Sequence, residues 1–112
     1  MERPAHATDF TIPVDDIGTF RFGRRTLRDE MRIGAEYSRL TEGVETPTAS
    51  LDLIAGWIAT LKVMTVEAPA GWDIDAMDPL DDGTYAKLLK VHAAFRQKES
   101  SFRLGKEQAS KE

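Results

Sequence analysis

The feature that most constrains this chain is the run from Ser50 to Val66. Leu51, Ile54, Trp57/Ile58, Leu61 and Thr65 recur there at helical spacing, while Leu53 and Met64 widen the stripe almost to the full circumference. A helix apolar on nearly every side is one enclosed by other elements. The spacing therefore predicts a helix over 50–66 at the centre of a domain, capped by Ser50 or Thr48, with Trp57 and Leu61 in the core. Pro69 and Gly71 close it off. Its longest apolar stretch, Leu53 to Leu61, is followed by Lys62 and is half of the roughly 20 residues a bilayer requires. The expectation is a core helix of a soluble protein, not a membrane span.

The remaining segments supply its surroundings. In residues 9–14 Phe10, Ile12 and Val14 alternate with polar positions, the period of a half-buried strand, and Pro13 assigns that strand to an edge. Asp15-Asp16-Ile17-Gly18 forms a turn, and Phe20 and Phe22 face together on a second strand, so residues 9–23 read as a β-hairpin. Thr26 followed by Asp29 and Glu30 is a helix-start signature. Leu27, Met31, Gly34/Ala35 and Tyr37 then extend a first helix over about 26–40, with Gly34 explained by close approach of another element. In the segment from Ala70 to Pro79, Trp72, Ile74 and Met77 anchor an ordered loop. Asp81 or Asp82 then caps a third helix over about 82–103, with Tyr85, Leu88/Leu89, His92, Phe95 and Phe102 on its apolar stripe.

At 112 residues one domain is the default. The fold class expected is α+β: an N-terminal β-hairpin packed on a small bundle of about three helices. A flexible leader over 1–8, a single domain over 9–104 and a flexible tail over 105–112 complete the organisation. The leader has charge and proline where a signal peptide needs about 7–15 apolar residues.

Charge is segregated along the chain. The net charge of −4 resolves into 0 over residues 1–40, −8 over 41–83 and +4 over 84–112. A net-negative chain is a poor general nucleic-acid binder, although local basic patches remain. Arg21, Arg24, Arg25, Arg28 and Arg32 make one, interleaved with Phe20 and Phe22. Pairing with Asp29, Glu30, Glu36 and the acidic middle segment is the expected use of these arginines, and docking of an acidic partner or nucleic acid is the alternative. Phe102 and Arg103 place an aromatic beside an arginine past the core of the third helix, the composition that interface anchors favour. Sealing the end of the core is the alternative use of Phe102. Arg24, Arg25, Arg28, Phe102 and Arg103 are thus the candidate partner-binding residues.

Catalytic and cofactor signatures are missing from the sequence. The chain has no cysteine, which removes disulfide scaffolds, thiolate zinc sites and cysteine nucleophiles. No phosphate-cradling glycine pattern occurs, and His6 and His92 have no neighbours at metal-ligand spacing. Asp73, Asp75, Asp78, Asp81 and Asp82 cluster, but a calcium loop starting at Asp73 would require glycine where Asp78 stands and an acid where Thr84 stands. Helix caps and solvated loop are the expectation for these aspartates, a weak cation site or metal-dependent hydrolysis the alternatives. The overall expectation is a protein that is not an enzyme, with neither cofactor nor metal, no nucleic acid and no membrane among its partners.

The string Phe20-Arg21-Phe22-Gly23-Arg24-Arg25-Thr26-Leu27-Arg28-Asp29, joined to Ala35-Glu36-Tyr37-Ser38-Arg39-Leu40-Thr41-Glu42-Gly43, resembles the small tail assembly chaperones of long-tailed (siphovirus-like) bacteriophages and prophages. Trp57 to Val66 and Asp78-Pro79-Leu80-Asp81-Asp82 extend the resemblance over about 9–104. It implies a protein of the host cytoplasm, absent from the mature virion, that binds the tape measure protein and supports tail tube assembly. The tail tube protein and a second copy of the chain are further partners to consider. The family often makes a longer form by programmed frameshifting, and Leu104-Gly105-Lys106 is compatible with codons containing a slippery run. The competing role is a small structural tail or head-tail connector subunit.

Overall fold

A computed structural model describes residues 3–111, with side chains described through Arg103. The order is β1 (Phe10–Val14), β2 (Gly18–Phe22), α1 (Leu27–Leu40), α2 (Ala49–Met64), β3 (Thr65–Glu67), a 3-10 turn over Ile74–Ala76, and α3 (Thr84–Lys111). The fold is α+β, with a three-stranded antiparallel sheet and three helices. The hairpin pairs Phe10 with Phe22 and Val14 with Gly18, and Asp16 and Gly18 take the positive φ values its tight turn needs. Pro13 lies on the edge strand, where its missing N–H costs no ladder bond.

The third strand departs from the expected helix over 50–66. After Met64 the chain turns extended, and β3 pairs with β2 through Arg21 with Glu67 and Phe22 with Thr65. Thr65 and Val66 are β-branched and favour extended backbone. The Gly23 N–H donates to the Met64 carbonyl at 3.0 Å, stitching the joint between the elements. Val66, the last residue of the helix expected from the sequence, is buried as a strand residue instead.

The core lies between one face of the sheet and the inner faces of α2 and α3. Ile12, Val14, Phe20 and Phe22 meet Leu61 and Met64 of α2 and Leu88, Val91 and Phe95 of α3. Aromatic rings run through it in sequence: Trp72 stands edge-on to Phe20 at 5.0 Å, Phe20 stacks on Phe22 at 5.7 Å, and Phe22 meets Phe95 at 4.7 Å. Phe10 and Phe102, 5.0 Å apart, close the far end. Trp72, Ile74 and Met77 anchor the loop against this core as the sequence indicates.

Three helix expectations are corrected. On α1, Leu27 and Met31 are exposed, and the inward face carries Asp29 and Ile33. Gly34 has no atom within 4 Å of where a Cβ would stand, so the close approach expected there does not exist. On α2, enclosure begins only at Ala55: Leu51 and Leu53 are exposed, and Trp57 is half-buried against the core while Leu61 is fully buried. On α3 the buried stripe is Leu88, Val91 and Phe95, leaving Tyr85 and Leu89 outside. That helix also continues to Lys111, past the end expected near 103. Lys, Glu, Gln and Ala are good helix formers, and the single Gly105 costs only about 1 kcal/mol. At the other end, Arg3 of the leader bonds to Asp29, while Met1 and Glu2 of that leader, like Glu112 of the tail, lie outside the described residues.

Candidate functional site

The joint between β2 and α1 gathers positive charge, and the local sequence explains how. Thr26 has extended backbone and its hydroxyl accepts from the Asp29 N–H, while the Asp29 carboxylate accepts from the Thr26 N–H at 2.9 Å. This reciprocal capping box fixes where α1 begins. Arg28 and Arg32 then fall one helical turn apart on the same side. A Cβ at Gly23 would meet the Arg3 guanidinium, so the glycine leaves free the space in which Arg3 reaches Asp29 from 26 residues away.

The result is a recess of about 500 Å³ with Arg3, Arg24, Arg28 and Arg32 on its walls and Asp29 as its one carboxylate among the described residues. Asp29 is 3% exposed. Burial pushes its carboxyl pKa up, but the Arg3 guanidinium and the N–H and hydroxyl of Thr26 more than offset this, and the group is held below the ordinary carboxylate range. It is therefore ionised and already neutralised by Arg3.

The candidate partner residues divide between this recess and its flank. Arg24 lies over the Phe102 ring at 3.9 Å, which brings two residues distant in sequence together at the mouth of the recess. Phe102 is half-buried against Phe10 and so seals the end of the aromatic core. Arg28 lines the recess itself. Arg25 turns away from it to bridge Glu30 at 2.8 Å and Glu99 at 2.9 Å, and Arg96 joins the same Glu99. Arg103 is exposed on α3, one residue beyond Phe102. Of the expected acidic partners Glu30 is used by Arg25, while Asp29 takes Arg3, and Glu36 takes Arg39 and Lys62. Arg21 pairs with Asp9.

A second concavity lies between α2 and α3. Trp57 and His92, 6.1 Å apart, line it together with Leu53 and Arg96, around a volume of about 350 Å³. Burial lowers the His92 pKa, and Arg96 and Arg25 lower it further against a weaker pull from Glu99. The ring is neutral near pH 7. Leu53 lies one turn before Trp57 on α2, and Tyr85 and Leu89 precede His92 on one face of α3, which leaves an apolar strip open to water.

The aspartate loop is engaged in local structure. Asp73 accepts from the Asp75 N–H, Asp75 pairs with Lys62 at 2.9 Å, Asp78 accepts from the Leu80 N–H and Asp81 from the Gly83 N–H. No group of three or more histidine, aspartate or glutamate side chains is placed to hold a metal among the described residues. No helix among them is long and apolar enough to cross a membrane. Comparison with protein families, with characterised proteins and with solved structures gives no match to this chain.

Sequence reasoning missed Arg3 and His6 as walls of the basic recess. Its one usable signal was Gly23, a residue without a side chain directly before two arginines.

Proposed function

We propose that this chain is a tail assembly chaperone of a long-tailed bacteriophage, one that binds helical segments of the tape measure protein and keeps them soluble while tail tube subunits polymerise. The observation that carries the reading is the apolar strip along α2 and α3. Leu53 is 54% exposed and Leu89 49%; Leu53 lies one turn before the half-buried Trp57 on α2, and Leu89 one turn before His92, the ring that meets Trp57. Exposed apolar side chains gathered on one face mark an interaction surface when a polar rim surrounds them, and Asp52 and Arg96 supply such a rim here. A groove between two helices takes the apolar face of a third, read as anchors at helical spacing. A tape measure protein offers such faces before the tube closes over it.

The resemblance of the strings around Phe20–Asp29 and Ala35–Gly43 supports the same role. So does the side-chain chemistry, which provides for binding by apolar contact and charge. The test is composition. In infected-cell lysates the chain is expected to be captured with the tape measure protein, and purified particles are expected to lack it. A fixed number of copies in each particle would instead make it a tail or connector subunit.

A further inference from the structure

We propose that the arginine-lined recess at the β2–α1 joint is a binding site for acidic peptide segments, reading paired carboxylates on a partner helix. The site is separate from the apolar strip and does not depend on the assembly role. Four arginines line one concavity, and its single carboxylate among the described residues, Asp29, is already satisfied by Arg3 and Thr26. Two of the four are held in place: Arg3 sits in the space that Gly23 leaves free, and Arg24 is stacked on Phe102. The other two, Arg28 and Arg32, are exposed and form no ion pair among the described residues. Arg24, Arg28 and Arg32 thus carry positive charge that no ion pair among the described residues neutralises, a standing attraction for an anion.

The shape selects which anion. Guanidinium forks match carboxylates through two parallel N–H···O bonds. Arg28 and Arg32 are one helical turn apart, the spacing at which a partner helix presents two acidic side chains four residues apart. A bound phosphate at a helix start relies on free backbone N–H groups, and here the capping box already takes those of Thr26 and Asp29. Extended nucleic acid needs a basic track, whereas this recess is a local pole on a chain of net charge −4.

A fluorescently labelled helical peptide with glutamates at four-residue spacing is the probe, read by anisotropy at low ionic strength. It is expected to bind the wild-type protein, to lose affinity as salt is added, and to bind at least about tenfold more weakly to the Arg28→Glu/Arg32→Glu variant. Both positions are exposed, so the variant keeps its fold, which circular dichroism checks. A glutamine version of the peptide is expected not to bind. Failure of the acidic peptide to bind the wild type, or equal binding by the folded variant, would overturn the proposal. Displacement of the peptide by inorganic phosphate or a short single-stranded oligonucleotide at lower concentration than the peptide itself would overturn it too, giving the recess to phosphate.

Discussion

Replacing Phe95 by alanine is expected to cost about 3–5 kcal/mol, the range for deleting a fully buried phenylalanine. The ring is 0% exposed and lies against Phe22 at 4.7 Å and Phe10 at 6.1 Å, so its loss removes central contacts between α3 and the sheet. Domains of this size have about 5–15 kcal/mol in total, and the thermal midpoint should fall by more than about 10 °C. Tyr85→Ala and Leu89→Ala, on the same helix but outside the core, should each shift it far less. A drop of only a few degrees for Phe95→Ala would show that α3 does not pack on the sheet through this ring.

The second large effect is expected at Asp29. Alanine there removes the inward half of the capping box, worth about 1 kcal/mol, and strands Arg3 beside a buried position. Breaking a buried ion pair costs about 3–5 kcal/mol, but Arg3 keeps partial access to water. The combined loss for Asp29→Ala is therefore about 2–4 kcal/mol. The sign with pH follows from the lowered carboxyl pKa. The folded protein holds Asp29 ionised at lower pH than the unfolded chain does, so its contribution is complete above the unfolded pKa of about 4. It fades as pH falls through the folded value. Urea denaturation of wild type and variant should show a constant gap from neutral pH down to about pH 5, closing in stronger acid. A gap that stays unchanged as the pH falls from about 5 into stronger acid would mean that the carboxylate charge is not what Arg3 and Thr26 hold.

The sequence made the hairpin legible because alternation of Phe10, Ile12 and Val14 with polar residues has no other economical reading. It made the start of α1 legible because Thr26 and Asp29 carry a local hydrogen-bond pattern that needs no tertiary information. The facing of α1 was not legible. Hydrophobicity places Leu27 and Met31 inside, yet the pairing of Asp29 with Arg3 turns that edge inward and leaves both apolar side chains in water. β3 was hidden for a different reason: three residues are too few to register a period of two, and Thr65 extends the preceding helical stripe without a break.

On α3 the apolar residues crowd two adjacent faces. Leu88, Val91 and Phe95 compete with Tyr85, Leu89 and His92, and only the packing against Phe22 decides between them. The candidate site shows the same division. Arg24, Arg28 and Arg32 stand out as a basic run, but the recess also requires Arg3 and Phe102, brought in by contacts spanning most of the chain.

The claim at the centre of this account is that the chain covers apolar helical faces of a tape measure protein with the strip along α2 and α3. Co-expression of the two proteins measures this directly, with the fraction of tape measure protein in the soluble phase as readout. Wild-type chain is expected to keep it soluble and to co-purify with it. The Leu53→Glu/Leu89→Glu variant, altered at two exposed positions and with an unchanged denaturation midpoint, is expected to leave it in the pellet. A tape measure protein that stays insoluble with the wild type, or one rescued equally by the folded variant, would contradict the account.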